Sequence, residues 1–314
     1  MPVAPSTRRR PSNSKAAPLH TAGRLNISMR EIWTVRKVLG WTADRFERQR
    51  LDAPRLTAEL LLAHALGTDR LQLYLDLERP LQAEELAGVR ALIRRRTLGT
   101  PTQYLIGSRE FYGRLFCVDP RVLIPRPETE LLVEQVLQVL PEQSASAVLD
   151  IGTGSGCIAA TVAAERLNAV IWATDISAGA CEVARRNLQN LGLSGRVALL
   201  EGDLFEPIPV GQSFDVIVSN PPYVARRELG SLSAEVHQEP LTALDGGEEG
   251  LTVIRRLVEQ SKAFLKPGGL LAFEISETQG PAVMALLTGA GYCEVRISKD
   301  FARIDRFAFA TVAR

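Results

Sequence analysis

Cysteine, histidine and long apolar runs are all scarce in this chain. Its four cysteines, Cys117, Cys157, Cys181 and Cys293, are scattered with no Cys-x-x-Cys pair, which excludes a disulfide scaffold or a zinc ribbon. The three histidines, His20, His64 and His237, lie too far apart in sequence for a His-rich metal centre. No stretch nears the ~18 uninterrupted apolar residues of a membrane-spanning helix. Acid is missing from the first thirty residues, which carry six basic side chains. With 37 basic and 36 acidic residues in all, the remainder is therefore mildly acidic. It lacks the broad positive footprint of a duplex-binding protein. A reducing, soluble compartment, the cytoplasm, is the expected location. The Arg- and Ser-rich start also fits an organelle transit peptide, a solvated tail or a true beginning at Met29.

What is present is globular. The 46% apolar and 23% charged fractions over 314 residues suit two domains better than one. Residues 1–30 read as a disordered basic tail. Residues 31–100 read as a small helical domain. Within it, Asp52 with Pro54 is the expected helix start, Leu56, Leu60, Leu61 and Ala65 the expected inward face, and Gly67 the stop. Leu86, Val89 and Ile93 repeat the pattern in a second helix. Residues 101–125 read as a β-hairpin linker, from short extended runs around Phe111, Leu115 and Cys117 and again at Val122–Ile124. Eight arginines between Arg90 and Arg126 make this stretch basic; they suit an acidic or phosphate-bearing partner and a solvated face equally.

From 126 to 314 strands and helices alternate. Apolar runs at Ala147–Ile151, Ala169–Thr174, Val197–Leu200, Phe214–Ser219 and Leu270–Ile275 are separated mostly by helical stretches, which predicts a parallel sheet covered on both faces. Cys293–Ile297 and Phe307–Val312 predict a closing antiparallel pair. The first strand runs into Gly152, Thr153, Gly154, Ser155 and Gly156. Glycines there supply positive φ and let the backbone approach a ligand. Cys157 stands where a dinucleotide fingerprint needs its third glycine, so that fingerprint fails. Asp175 ends the second strand, where a carboxylate can accept both hydroxyl hydrogens of a ribose or cap the next helix. Asp203 and Leu204, past the third strand, offer an edge acceptor and an apolar face for a nucleobase. Together these residues suit S-adenosylmethionine.

Asn220, Pro221, Pro222 and Tyr223 follow the fourth strand. The two prolines fix φ and force extended backbone before each of them. The Asn220 side-chain oxygen and adjacent carbonyls can then grip a planar NH2 group, with Tyr223 packed on its plane. A conjugated nitrogen is a poor nucleophile. Acceptors on both hydrogens return electron density to it, so positioning and electrostatics carry a methyl transfer without a histidine base. Amino-group methylation is the expected chemistry, with Asn220, Pro221, Pro222 and Tyr223 as the catalytic set. Arg126 to Glu130 have a structural account, proline at the first helical position with acids in the first turn.

With Pro101, Gln103, Tyr104, Phe111 to Gly113, Leu123 to Glu130, the glycine loop, Asn220 to Tyr223, Glu239–Pro240, Lys266 to Gly269 and Glu274, residues 31–314 resemble the release factor glutamine methyltransferases, the HemK/PrmC family. The resemblance implies a seven-stranded, Rossmann-like α/β class I methyltransferase domain behind a helical domain that binds the release factor. It implies N5-methylation of the glutamine in the Gly-Gly-Gln loop of class I peptide-chain release factors. Gly152 to Gly156, Asp175, Leu204 and Asn220 would contact the cofactor. The family usually carries a bulkier or aromatic residue at the position of Leu204. A monomer without metal, membrane or direct nucleic-acid contact is expected. The alternatives are glutamine methylation of a ribosomal protein, exocyclic-amine methylation of DNA or RNA, and a non-catalytic scaffold.

Overall fold

The computed structural model describes residues 32–143 and 145–314; the basic tail expected over residues 1–30 lies outside them. Five helices come first: α1 (Val35–Arg48), α2 (Pro54–Leu66), α3 (Arg70–Leu75), α4 (Ala83–Thr97) and α5 (Thr102–Ile106). They close around a core of their own that includes Phe46, Leu61, Leu62, Leu73, Val89, Ile93 and Leu105. Local chemistry sets the ends. Thr34 caps α1 by accepting from the Lys37 amide, Gln82 and Glu85 form a capping box on α4, and Gly67 stops α2 in the left-handed region.

Several details differ from the sequence expectation. The cap residue of α2 is Ala53, at φ 42°, because the Asp52 carboxylate turns back to accept from the Ala53 amide instead. Leu56 is 41% exposed; α2 is buried through Leu61 and Leu62. The linker also opens with helix, since Leu105 of α5 belongs to the helical core. Within the linker, β1 (Ser108–Phe111) and β2 (Arg114–Cys117) pair as a hairpin. Val122 and Ile124 are buried without forming a strand, in a small cluster with Tyr104 and Val183.

The remaining elements run α6 (Pro127–Val139), β3 (Ala147–Ile151), α7 (Cys157–Glu165), β4 (Val170–Asp175), α8 (Ala178–Asn190), β5 (Val197–Glu201), β6 (Phe214–Ser219), α9 (Arg226–Leu229), α10 (Thr252–Ser261), β7 (Leu265–Glu274), α11 (Gly280–Gly289), β8 (Cys293–Lys299) and β9 (Asp305–Thr311). The sheet order is β5-β4-β3-β6-β7-β9-β8. Strands β3 to β7 are mutually parallel, and β9 is antiparallel to β7 and β8. Alternate residues feed opposite layers, as the pleat requires. Val148, Val216 and Val218 face the α6–α7 layer with Phe307 and Phe309. Leu149, Ile217, Leu271 and Phe273 face the α10–α11 layer with Ala308 and Ala310. In β9, then, one layer takes phenylalanines and the other alanines.

The helical unit is tied to the sheet domain through charge as well as packing. Arg96, at the end of α4, is 1% exposed, and its Nη2 donates to Glu235 in the long segment after β6. Its Nε and Nη1 have no hydrogen-bond partner among the described residues. Glu235 is the half of the pair that water reaches, with its side chain 33% exposed. Removing it strands a buried guanidinium, whereas removing Arg96 leaves a carboxylate that can hydrate. Glu235→Ala should therefore destabilise the fold by about 3 kcal/mol, at the low end for breaking a buried pair, and Arg96→Met by clearly less. Urea denaturation of both variants measures the order.

Candidate active site

Strands β3 and β6 are neighbours, and the chain leaves β3 toward β4 on one side and β6 toward β7 on the other. Their carboxyl ends thus form the crevice at which doubly wound sheets bind ligands. A cavity of about 430 Å³ opens there, within the range of small-molecule sites, lined among others by Gly152 to Ser155, Asp175, Asp203, Leu204, Asn220 and Pro222. Residues expected from four different loops are thereby brought together. Gly156 caps α7 just behind the cavity. Pro221 and Tyr223 are not part of its wall.

The glycine loop is held from beneath by β4. The Gly152 and Thr153 amides donate to the Thr174 carbonyl at 2.8 and 2.9 Å, and the Gly156 amide to the Thr153 carbonyl at 2.8 Å. The Gly154 amide donates to Asp175 Oδ2 at 2.8 Å, while Asp175 Oδ1 accepts from the Ser177 amide at 2.9 Å. The cap of α8 is Ser177, whose hydroxyl accepts from the Ala180 amide; Asp175 braces the turn before it. Burial holds the Asp175 carboxyl above its ordinary pKa, opposed by the two amides. Asn187 of α8 adds a second brace. Its amide nitrogen donates to the Ser155 carbonyl at 2.8 Å and the Cys117 carbonyl at 3.0 Å, and its oxygen accepts from the Cys117 amide at 2.7 Å. One buried side chain thus joins the loop to the hairpin. Its signal in sequence was nil, since an asparagine in a helix has no pattern.

Asp150 lies on β3, just before the loop. Its Oδ2 accepts from the Thr153 hydroxyl at 2.6 Å and the Ala159 amide at 3.1 Å, and its Oδ1 has no partner among the described residues. Burial pushes its pKa up to about 7.

Past β5, Asp203 pairs with Arg256 of α10 at 2.8 Å. Leu204 sits at φ 51°, a strained value for a branched residue, with its carbonyl accepting from the Thr174 hydroxyl at 3.0 Å. Ile158, Ile176 and Val253 join Leu204 in the cavity wall, so the apolar surface is aliphatic.

The Asn220 end has a buried underside. Asn220 Nδ2 donates to Thr129 Oγ1 at 3.2 Å, Thr129 Oγ1 donates to Glu274 Oε2 at 2.7 Å, and the Tyr223 hydroxyl donates to Glu274 Oε1 at 2.9 Å. The Tyr223 carbonyl accepts from Gln279 Nε2 at 3.0 Å. Burial pushes Glu274 and Tyr223 upward. Tyr223 is thus anchored by its hydroxyl behind the wall. Of the Arg126 to Glu130 run, Thr129 lines the cavity, Arg126 pairs with buried Glu239 at 2.7 Å, and Glu130 accepts from the Tyr112 amide in the hairpin turn at 3.0 Å. Much of the basic stretch is thus spent internally, on Glu235, Glu165, Asp119, Glu182 and Glu239. His237 lies in a short 3-10 turn outside the cavity. Among the described residues no group of His, Cys, Asp and Glu is placed to hold a metal ion, and no helix is long and apolar enough to cross a membrane.

The residues fit S-adenosylmethionine. Gly152 and Gly154 have φ of 70° and 56°, and a Cβ on either would meet no atom within 4 Å, which leaves a cradle open to a ligand. Four of the loop amides already have protein acceptors, so the loop is not a phosphate nest. The order of the sheet and this cavity define a class I, S-adenosylmethionine-dependent methyltransferase.

Comparison with known proteins narrows the class. The PrmC N-terminal domain family matches residues 37–107, and the methyltransferase small domain family residues 128–239. A protein of Geobacter sulfurreducens named release factor glutamine methyltransferase is 44% identical over 277 residues, 88% of this chain and 96% of the relative. One of Rhodopirellula baltica with the same name is 42% identical over 280 residues, 87% of this chain and 95% of the relative. Among solved structures, the hMettl16 catalytic domain in complex with a MAT2A 3′UTR hairpin has a TM-score of 0.53 at 18% identity. It covers 71% of this chain and 82% of that one, a likeness of fold. The chain belongs to the release factor glutamine methyltransferase family.

Two tests follow from the loop. Gly152→Ala or Gly154→Ala should cost the fold about 1–2 kcal/mol of left-handed strain and remove most cofactor affinity. Gly156→Ala, whose Cβ would sit 3.2 Å from the Ala184 Cβ, should lose more stability than either. Thermal denaturation beside calorimetric titration with S-adenosylmethionine separates the two effects. Asp150, with its folded pKa raised to about 7, binds a proton in the native state that the unfolded chain releases near pH 4. Its contribution to stability is therefore full below about pH 4 and lost as the pH rises through 7. The stability of Asp150→Asn relative to the parent should accordingly rise across that window, as urea melts at stepped pH will register.

Proposed function

We propose that this chain transfers a methyl group from S-adenosylmethionine to the side-chain amide nitrogen, N5, of the glutamine in the Gly-Gly-Gln loop of a class I peptide-chain release factor. The observation that carries the reading is the position of Asn220 and Pro222 in the wall of the cavity that also holds the glycine loop and Asp175. The names borne by relatives of nearly full coverage support the same substrate. The mildly acidic balance outside the first thirty residues favours a protein over a nucleic acid, and a cytoplasmic monomer is the simplest form of such an enzyme.

Gly152, Thr153, Gly154 and Ser155 would lie under the amino-acid portion of the cofactor and Asp175 beneath its ribose. Asp203 and Leu204 would meet the adenine edge and face. Bound there, S-adenosylmethionine supplies an electrophilic methyl on a sulfonium. Asn220 Oδ1 and the neighbouring backbone carbonyl accept the two hydrogens of the substrate amide, which localises the nitrogen lone pair and aims it. The nitrogen gives its surplus proton to water after the new N–C bond forms. Tyr223 and the two prolines hold this segment rigid. Residues 31–100 serve as the docking unit, 101–125 as the connection, and 126–314 as the catalytic domain.

With labelled S-adenosylmethionine, a class I release factor should take up label, and its loop Gln→Ala variant and DNA should not. Asn220→Ala should lower the transfer rate by at least about 100-fold, the loss expected when a preorganised polar contact is removed, with an unchanged thermal melt. Label entering DNA or a ribosomal protein in place of the factor would overturn the assignment.

A further inference from the structure

The Asn220 amide has two ends of nearly the same shape and opposite polarity. Only one orientation serves the proposed reaction. With the oxygen toward the cavity it accepts a substrate N–H; with the nitrogen outward it would set donors against donors. The prolines that follow fix the backbone but leave this choice open, because rotation about the last side-chain bond exchanges the two ends without moving the chain.

We propose that Glu274 is the positioning residue that makes this choice, acting on Asn220 through the Thr129 hydroxyl. The inference rests on the function proposed above. A hydroxyl has a single proton. Thr129 gives its proton to Glu274 Oε2 at 2.7 Å, so toward Asn220 its oxygen can only accept. The Asn220 NH2 must then turn to Thr129, as it does at 3.2 Å, and the carbonyl is left for the cavity. Without a carboxylate behind it, the Thr129 proton is free to rotate toward Asn220, and either end of the amide can face out.

Burial removes the competitors. Glu274 and Thr129 are 1% and 2% exposed, so bulk water is not at hand to replace either partner. The second carboxylate oxygen accepts from the Tyr223 hydroxyl at 2.9 Å. A single carboxylate therefore holds both flanks of the Asn220–Tyr223 segment, using acceptor atoms alone. Charges around it come from Arg306 on β9, which favours the ionised form, and Glu128 on α6, which opposes it. A glutamine in its place would be nearly isosteric yet offer one acceptor and one donor pair. Its NH2 would face the hydroxyl of Thr129 or of Tyr223, and turned to Thr129 it reverses the relay.

The test uses the full chain and a class I release factor as methyl acceptor. Glu274→Gln and Thr129→Val should each lower kcat by about 10–100-fold, the scale of one misaligned polar contact, with the cofactor Kd within about threefold of the parent. Thr129→Ser, which keeps the hydroxyl, should retain most of kcat. The double variant Glu274→Gln/Thr129→Val should be no slower than the worse single one, because both cut the same relay. A kcat for Glu274→Gln within about twofold of the parent, or losses that multiply in the double variant, would overturn the proposal. If Glu274→Gln fails to fold, the contrast between Thr129→Val and Thr129→Ser decides: equal kcat in the two sinks the relay. A parent enzyme that binds cofactor but leaves the release factor unlabelled marks failure of the functional reading, and the relay falls with it. An active parent with active variants marks failure of the relay alone.

Discussion

The parallel pairing of β3 with β6 is the constraint on which the site depends. Two adjacent strands running the same way must release their following loops at one edge of the sheet. Because one connection then departs toward β4 and the other toward β7, no helix fills the gap between them. The glycine loop and the Asn220–Tyr223 segment, 68 residues apart from Ile151 to Ser219 in the ladder, become opposite walls of one cavity. The Ser219 hydroxyl, donating to the Ile151 carbonyl at 2.7 Å, ties the two strand ends at the point where they part.

Carboxylates withdrawn wholly or partly from water then fix each wall. Asp175 holds the glycine loop through the Gly154 amide, Glu274 holds Thr129 and Tyr223, and Glu239 holds Arg126 and the Ile124 amide. Glu239 and Glu274 are buried and Asp175 half-buried, and each is compensated by donors set at fixed angles, the condition under which a polar network confers rigidity. The segment from Val224 to Leu251 is pinned twice, at Glu235 by the helical unit and at Glu239 by the residue before α6. Its Leu241 to Ala243 turn closes one side of the cavity, so the helical unit and the site share a common piece of chain.

Periodicity made the strands and most helices legible, since alternation and the 3.6-residue stripe are local properties. The glycine loop, Asp175 and Asn220 to Tyr223 were legible for a different reason: each is a residue type with few other uses at the end of a strand. The rest lay in pairings across long separations, which leave no trace in a local pattern. Thr129 meets Glu274 over 145 residues, and Arg96 meets Glu235 over 139. Arg96 is one of eight arginines that suit a partner and a solvated face equally, and Thr129 sits between two acids with a sufficient structural account of their own. Strand β7 begins at Leu265, earlier than its apolar run, and a bulge against β6 takes up the extra residues, with Gly268 at φ 76° within it.

The saturation of the glycine loop bears on which adenosine-bearing molecule can occupy the cavity. In a cell, nucleoside triphosphates and nicotinamide nucleotides carry the same adenosine as the methyl donor and would compete for the same apolar slot. Phosphates gain affinity at loops whose amides are unclaimed. Here the amides of Gly152, Thr153, Gly154 and Gly156 are already bonded within the protein. Asp175, Asp203 and Asp245 line the cavity beside Arg121, Arg126 and Arg256, so side-chain charge there is balanced. A polyphosphate would find few unclaimed backbone donors in this loop, whereas a ligand bearing a sulfonium does not need them. The internal bonding of the loop thus weighs against phosphate-bearing nucleotides before any contact with the methyl group is made.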